Sequence, residues 1–271
     1  MKIHSSVLTL IILVLIVTAG ILCLGQNPYT FLVTNILNSG SKCIVIDPGH
    51  GGYDPGKVGV DNTLEKDINL SIALKLKDVL EKNNYQVVMT RSEDIDYSSN
   101  GSGSKKTNDL NSRINIINEA SPAIVISIHQ NSFHDSSVSG AQVFYYGDAV
   151  SSGSSSYSPA SNSVSTSRTG SVSGSAINPG DCSSGNTAGS SHMLANSIHD
   201  ALINELDKSN HRAAKSNTSY YMLKKTSYPT VIVECGFLSN PEETKNLNDS
   251  AYQQKTAQAI YCGIENYFNQ L

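Results

Sequence analysis

Short apolar runs alternate with helical patterns along most of this chain, and that alternation limits the possible folds more than any other feature. Strands of a parallel sheet are buried on both faces and read as continuous apolar runs, while the connecting helices cover those faces. We therefore predict a single α/β domain with a twisted, mostly parallel sheet flanked by helices. The predicted strands are 42–46, 85–89, 123–129, 142–146, 220–224 and 230–234, and the predicted helices are 64–81, 109–119, 193–206 and 251–268.

Two of these helices have clear local signals. From Leu64 to Leu80, leucine or isoleucine recurs every four residues, which predicts an apolar stripe along one face of a helix. Asp109 stands at the start of the next helical pattern, where a carboxylate can accept hydrogen bonds from the free N–H groups of the first turn. We therefore predict that Asp109 caps the helix over 109–119.

An apolar stretch precedes the predicted domain. Residues 7–24 form a run of 18 residues broken only by Thr9, Thr18 and Gly20. Such a run after a basic start is typical of a signal peptide or an uncleaved membrane anchor, whereas a buried core helix would carry polar residues at helical spacing. We predict a leader at 1–25, a linker at 26–41 and an exported domain at 42–271, held at the membrane if the leader is retained.

A serine-rich tract interrupts the domain at 151–190. Of its 40 residues, 16 are serine and 6 are glycine, and only Arg168 and Asp181 are charged. A segment of this composition cannot bury enough apolar area to offset the entropy lost on ordering. We predict a flexible surface insertion.

The composition excludes two classes of protein. The net charge of −4 makes the chain a poor ligand for a polyanion, so no nucleic-acid partner is expected. Five cysteines in 271 residues are too few for a disulfide framework. We interpret Cys43, Cys235 and Cys262 as small core residues, and we predict surface positions for four histidines, His134, His192, His199 and His211.

Four side chains stand at places where an α/β sheet usually builds its site. His50 follows the first predicted strand inside a glycine-rich loop, and His129 and Glu234 end two later strands. Glu65 opens the first helix. Carboxyl ends of parallel strands meet at one end of a sheet, so these groups are expected to converge. Two imidazoles and a carboxylate suit a catalytic Zn²⁺, and a fourth acidic group could act as a general base.

Each of these residues also has an ordinary structural interpretation. His50 could be a turn histidine, His129 a packed histidine at a strand end, and Glu65 a carboxylate that faces the positive end of a helix dipole. Glu234 could be a salt-bridged acid at the end of its strand. Spacing alone does not separate a metal site from these alternatives.

The chain resembles the zinc-dependent N-acetylmuramoyl-L-alanine amidases of the amidase-3 type. The resemblance covers about 42–147 and 191–271, and it rests on several blocks in order, which include IDPGHGGYDPGKVGVDNTLEKDINL, RINIINEASPAIVISIHQNS, GAQVFYY and PTVIVECGFLSNPEE. It implies an α/β sheet flanked by helices, one Zn²⁺ per chain with His50, Glu65 and His129 as its ligands, and Glu234 as the catalytic glutamate. One departure is Gln130, where the family more often has a small or apolar residue.

The resemblance also implies a substrate. The bond cleaved would be the amide between the lactyl group of N-acetylmuramic acid and L-alanine of the stem peptide of peptidoglycan. A single domain behind an apolar leader is similar to the spore-cortex, germination-related members, which act on the way to muramic-δ-lactam. Such a chain would depend on its anchor or on a protein partner for targeting or activation.

Two arginines are further candidates for the site. Arg91 and Arg113 could bind substrate carboxylates, because a guanidinium pairs with a carboxylate through two hydrogen bonds. The alternative for both is a structural ion pair.

Three other functions stay open at this point. Cys235 could be a nucleophile with His129 as its base, or the chain could bind cell wall without catalysis through its serine-rich tract. It could also be a zinc amidase or peptidase that acts on another cell-wall peptide.

Overall fold

A six-stranded sheet lies at the centre of the computed structural model, which describes residues 41–147 and 184–271. The strands are β1 (Cys43–Pro48), β2 (Gln86–Met89), β3 (Ile124–Asn131), β4 (Gln142–Tyr145), β5 (Lys215–Ser216) and β6 (Thr230–Phe237). The helices are α1 (Glu65–Lys82), α2 (Lys105–Ala120), α3 (Ser184–Leu206), α4 (Tyr221–Lys225), α5 (Pro241–Asn248) and α6 (Ser250–Phe268).

The strands follow the order β2-β1-β3-β6-β4-β5. β1 pairs in parallel with β2 and β3, and β6 pairs in parallel with β3. β4 runs antiparallel to β6 and parallel to the short β5. The prediction of a mostly parallel sheet flanked by helices is therefore confirmed, with β4 and β5 running against the other four strands.

Alternate residues of the central strands fill two cores on opposite faces of the sheet. Ile44 and Ile46 of β1 pack in the larger core, which α1, α3 and α6 cover. Val45 packs on the other face against Ile117 of α2 and Met222 of α4. Both faces of β1 are buried, which is why its sequence reads as an unbroken apolar run.

The direction of β4 separates two ends of the sheet. Gln142, at its start, is paired with Glu234, near the carboxyl ends of the parallel strands, whereas Tyr145 is paired with Val231, near the beginning of β6. Helix α3 is attached at the same end as Tyr145, because the Ser191 hydroxyl accepts a hydrogen bond from the Thr230 amide.

One predicted element is wrong, and another is confirmed with a different start and cap. The helix predicted at 109–119 begins one turn earlier, at Lys105, and its cap is Ser104, which accepts a hydrogen bond from the Thr107 amide. Asp109 lies inside the helix, where it binds Arg113 and accepts from the amide of Tyr97. The strand predicted at 220–224 is wrong, since Tyr221–Lys225 forms helix α4. Just before it, the Asn217 side chain accepts hydrogen bonds from the amides of Ser219 and Tyr220 in a turn. Helix α5 and strand β5 were not predicted.

The predicted leader at 1–25 lies outside the described residues, as does the linker at 26–41 except for its last residue. Most of the predicted insertion also lies outside them, but its end does not, because α3 begins at Ser184 and residues 184–190 are helical. In the described ranges, no helix combines the length and apolar character that a membrane crossing requires.

Candidate metal and catalytic site

The loop after β1 presents His50 in an unusual backbone conformation. His50 has φ 62°, and Gly51 and Gly52 follow it with φ 131° and 52°. Only glycine adopts such angles freely, so the glycines allow the chain to turn back at once after the strand. Gly49 is required for another reason, since a Cβ at that position would overlap the imidazole of His129.

Glu65 is the first residue of α1, and its side chain points into the protein at 2 % exposure. Its carboxylate accepts hydrogen bonds from the backbone amides of Lys57, at 2.8 Å, and Gln130, at 3.0 Å. The Asn69 side chain, one turn further along α1, donates a third bond at 3.3 Å. These three donors hold the carboxylate in one orientation.

The two histidines contact different oxygens of the Glu65 carboxylate. His50 Nε2 lies 3.2 Å from Glu65 Oε2, and His129 Nδ1 lies 3.0 Å from Glu65 Oε1. One potential ligand atom from each residue lies within 4.8 Å of the other two, so this group could hold a metal ion. Ligand atoms 2.0–2.1 Å from a tetrahedral zinc lie about 3.3 Å apart, which is close to both distances.

The surroundings of this group suit a cation. His50 Nδ1 lies 2.9 Å from Asp54 Oδ2, the contact that commonly fixes the orientation of a metal-bound imidazole. Burial alone would raise the pKa of Glu65, but its hydrogen bonds to His129 and His50 hold that pKa well below the ordinary range. The carboxylate is therefore charged at neutral pH, as a metal ligand must be.

Glu234 lies beside this group on the neighbouring strand, where it is the partner of His129 in the register between β3 and β6. The side chain is 7 % exposed, and its Oε2 atom is buried with no hydrogen-bond partner among the described residues. Burial raises its pKa to about 7; His129 opposes this shift and the charge of Glu65 adds to it. An acid with a pKa near neutrality and a free oxygen can both accept and return a proton.

Tyr220 is a further residue near the two carboxylates. Its ring packs edge-on against Phe144, with 5.4 Å between the ring centroids. Burial raises the pKa of its phenol, and the negative charges of Glu234 and Glu65 raise it further. Its proximity to them was not predicted from the sequence, where 220–224 reads as a strand.

Asp54, Asn69 and Gln130 were also missed as supporting residues. Gln130 donates from Nε2 to Asn69 Oδ1 at 3.1 Å, and Asn69 in turn binds Glu65. Asn69 follows Glu65 by four residues, a spacing that puts both on one face of a helix, and this signal would have found it.

The two arginines predicted to bind substrate carboxylates are both buried. Arg91 and Arg113 are each 2 % exposed. Arg113 forms an ion pair with Asp47 at 2.9 Å, and all four hydrogen bonds of Arg91 go to main-chain carbonyls. Their burial and these contacts favour the structural alternative over the predicted substrate binding.

Two further predictions change. Cys235 is buried at 1 % exposure, and burial raises the pKa of its thiol, which opposes a nucleophilic role. Cys43 and Cys262 are partly buried rather than fully buried. His199 is 1 % exposed and is therefore a core residue, whereas it was predicted at the surface.

Comparison with known proteins identifies the family. A family model described as N-acetylmuramoyl-L-alanine amidase matches residues 44–266. The germination-specific N-acetylmuramoyl-L-alanine amidase of Bacillus subtilis is 32 % identical over 232 residues, which are 84 % of this chain and 81 % of that protein.

Two solved structures agree with this match. One is the CwlD amidase of Clostridioides difficile in complex with the GerS lipoprotein, at 34 % identity and a TM-score of 0.68, with 85 % of this chain and 100 % of that chain covered. The other is the amidase AmiC2 of Nostoc punctiforme, at 27 % identity and a TM-score of 0.62, with 85 % and 99 % covered. This chain therefore belongs to the N-acetylmuramoyl-L-alanine amidase family.

Proposed function

We propose that the protein is a zinc-dependent peptidoglycan amidase that cleaves the amide between the lactyl group of N-acetylmuramic acid and L-alanine of the stem peptide. The observation that carries this proposal is the position of Glu234 next to the group formed by His50, Glu65 and His129. Glu234 is a buried carboxyl, and one of its oxygens has no hydrogen-bond partner in the part of the chain that the structure describes. Family membership supports the choice of bond.

His50, Glu65 and His129 would hold the metal. Two imidazoles and one carboxylate are a donor set of catalytic zinc sites, which leave one position for water or substrate. Zinc in such a site polarises a carbonyl group and makes its bound water more acidic. Asp54 orients His50, while the amides of Lys57 and Gln130 orient Glu65.

Glu234 would move the proton. Its carboxylate accepts a proton from the attacking water and then donates it to the nitrogen of the departing L-alanine. The pKa of about 7 refers to the protein without a bound cation, and a nearby divalent ion would lower it. Glu234 would then be ionised at neutral pH, as a general base has to be.

The decisive experiment is a digestion of purified peptidoglycan. We expect the protein to release new N-terminal alanine, to stop when a chelator removes the metal, and to recover when Zn²⁺ is added. Activity that survives the chelator and ends with iodoacetamide would instead favour a cysteine hydrolase. Binding to the wall without release of amines would contradict an enzymatic function.

We further propose a role in the maturation of spore cortex. The similarity to the germination-specific amidase of Bacillus subtilis supports this role. Removal of the stem peptide leaves a muramic acid residue with a free lactyl carboxyl, which is the group that a muramic-δ-lactam requires. Cortex from cells that lack this protein should contain fewer lactam residues, and normal lactam content would contradict the proposal.

The proposal also includes a protein partner for this chain. The similar amidase of Clostridioides difficile has been solved with a lipoprotein, which supports a partner for targeting or activation. Full activity of the purified chain with zinc alone would count against this need.

Export of the domain is the last part of the proposal. The apolar run at 7–24 supports it, and the N-terminal residue of the protein recovered from cells would show whether the leader is removed.

A further inference from the structure

Two buried arginines converge on the loop that carries His50. Arg91 donates from Nε to the Pro48 carbonyl at 2.9 Å and from Nη2 to the Gly49 carbonyl at 3.0 Å. Arg113 donates from Nη1 to the Pro48 carbonyl at 2.8 Å and from Nη2 to the His50 carbonyl at 2.6 Å. Three successive carbonyl groups, the last of them belonging to His50 itself, are therefore held by two guanidinium groups.

Arg91 also connects this loop to the second candidate ligand. The same Nη2 atom that binds the Gly49 carbonyl donates to the carbonyl of Lys66 at 2.8 Å. Lys66 follows Glu65 in the first turn of α1. One guanidinium thus fixes the start of the Glu65 helix relative to the His50 loop.

Burying two cations side by side is costly. Nearby carboxylates favour the charged form of both, but of the two only Arg113 forms direct ion pairs among the described residues. Arg113 has two carboxylate partners, Asp47 at 2.9 Å and Asp109 at 2.8 Å. The hydrogen bonds of Arg91 all end on carbonyl groups, although it lies near Arg113. A simple packing role would be filled at lower cost by an apolar side chain.

The loop conformation explains what the carbonyl contacts achieve. His50 has a positive φ, which is disfavoured for a residue with a side chain and needs support from its surroundings. The guanidinium of Arg113 binds the carbonyl of that same residue. A planar fork with several fixed donors can hold neighbouring carbonyls in one arrangement, which a lysine ammonium cannot do.

We propose that Arg91 and Arg113 are positioning residues that hold the His50 loop against the Glu65 helix, so that the metal ligands are in place before the metal binds. This proposal rests on the proposed zinc site. Because the ligands are already ordered, the free energy of metal binding is not spent on folding the loop.

The test is the zinc affinity of Arg91→Lys and Arg113→Lys in the full chain, measured by competition with a fluorescent chelator. Both variants keep the charge and lose the fork. We expect each to bind zinc at least about 10-fold more weakly, the lower end of the range for groups that support ligands. The unfolding midpoint of each metal-free variant is measured in parallel with the chelator present.

Leu80→Ala is the control, because Leu80 is fully buried near the end of α1, away from the ligands. It should lower the unfolding midpoint and leave zinc affinity within about twofold of the wild type, since its cavity lies in the core and not at the ligands. The proposal is overturned if either arginine variant binds zinc as tightly as Leu80→Ala does. If Arg113→Lys does not fold without metal, Arg91→Lys alone decides. Failure of the wild type to bind zinc would contradict the proposed function instead.

Discussion

His129 and Glu234 are direct neighbours in the register between β3 and β6, although they are far apart in the sequence. His129 Nδ1 also lies 3.0 Å from Glu65 Oε1, so a single imidazole contacts one buried carboxylate and has a second, that of Glu234, at the neighbouring position on the next strand. The two carboxylates differ in their surroundings. Glu65 is held by amide donors, whereas one oxygen of Glu234 finds no partner within residues 41–147 and 184–271.

Glu234→Gln should abolish most of the hydrolysis. The amide has nearly the same shape and cannot accept the proton, so we expect the rate of N-terminal alanine release to fall about 10²- to 10⁴-fold. Zinc content and the unfolding midpoint should stay close to those of the wild type. Glu205→Gln is the matched control on an exposed glutamate and should keep full activity. Wild-type turnover by Glu234→Gln would remove this residue from the mechanism.

His129→Ala should remove metal, and with it activity. Loss of one of three ligands should weaken zinc binding by more than about 100-fold, the upper end of the effect seen for supporting residues. Metal content after dialysis against a weak chelator measures this directly. His211→Ala changes an exposed histidine and should keep its zinc. Full zinc occupancy in His129→Ala would exclude His129 as a ligand.

Asp54→Ala should weaken zinc binding without abolishing it. Its carboxylate lies 2.9 Å from the far nitrogen of His50, and loss of such a partner typically costs about 10- to 100-fold in metal affinity. Asp200→Ala, which removes an exposed carboxylate, should leave the affinity unchanged. If the two variants bind zinc equally well, Asp54 does not support the ligand.

Asp47 should make the metal-free protein sensitive to acid. Burial would raise its pKa, but the charge of Arg113 and the hydroxyl groups of Thr90 and Ser127 outweigh it and lower the pKa from 3.8 to about 2. Because the folded pKa lies below the unfolded one, Asp47 stabilises the fold above about pH 4 by about 2 kcal/mol, and this contribution is lost as the pH falls towards 2.

Urea unfolding at several pH values between 6 and 2, with a chelator present, would measure this effect. Asp47→Asn should flatten the acid dependence of the unfolding free energy. It should also cost about 3–5 kcal/mol at pH 6, since Arg113 loses a buried partner. An unchanged acid slope in Asp47→Asn would assign the acid sensitivity to other groups.

Two glycine-to-alanine substitutions should change the stability of the protein in opposite directions. At Gly49 the new methyl group would overlap the His129 ring, so Gly49→Ala should destabilise the protein by about 1–3 kcal/mol and weaken zinc binding. At Gly189, within α3, nothing lies within 4 Å of an added Cβ, and alanine should stabilise the helix by up to about 1 kcal/mol. Thermal unfolding of both variants tests the comparison.

The central strands could be predicted from sequence because their signals are local. β1 reads as a strand from consecutive residues buried on both faces, and Ile68, Ile72 and Leu76 reveal the buried side of α1 by their spacing. Because β1 ends two residues before His50 and α1 begins at Glu65, both residues could be identified from the sequence as candidates for one site. The sequence did not distinguish a helix from a strand at 220–224, because the five residues of α4 are too few to show a helical period.

The roles of the arginines could not be predicted in the same way. Arg113 reaches Asp47 across 66 residues of sequence, and Arg91 reaches Pro48 across 43. Contacts between residues so far apart in the sequence produce no periodic pattern. In addition, the sequence does not distinguish an arginine that binds carbonyl groups from one that binds a substrate. Their contacts form because α2, which carries Arg113, and the segment after β2, which carries Arg91, pack against the His50 loop. This packing is seen only in the folded structure.

The antiparallel direction of β4 has a consequence for how this domain can change in evolution. Tyr145, the last residue of β4, and Ser191, in α3, both lie near the beginning of β6, at the opposite end of that strand from Glu234. The number of residues between these two anchors can therefore increase or decrease without a ligand or its support having to move.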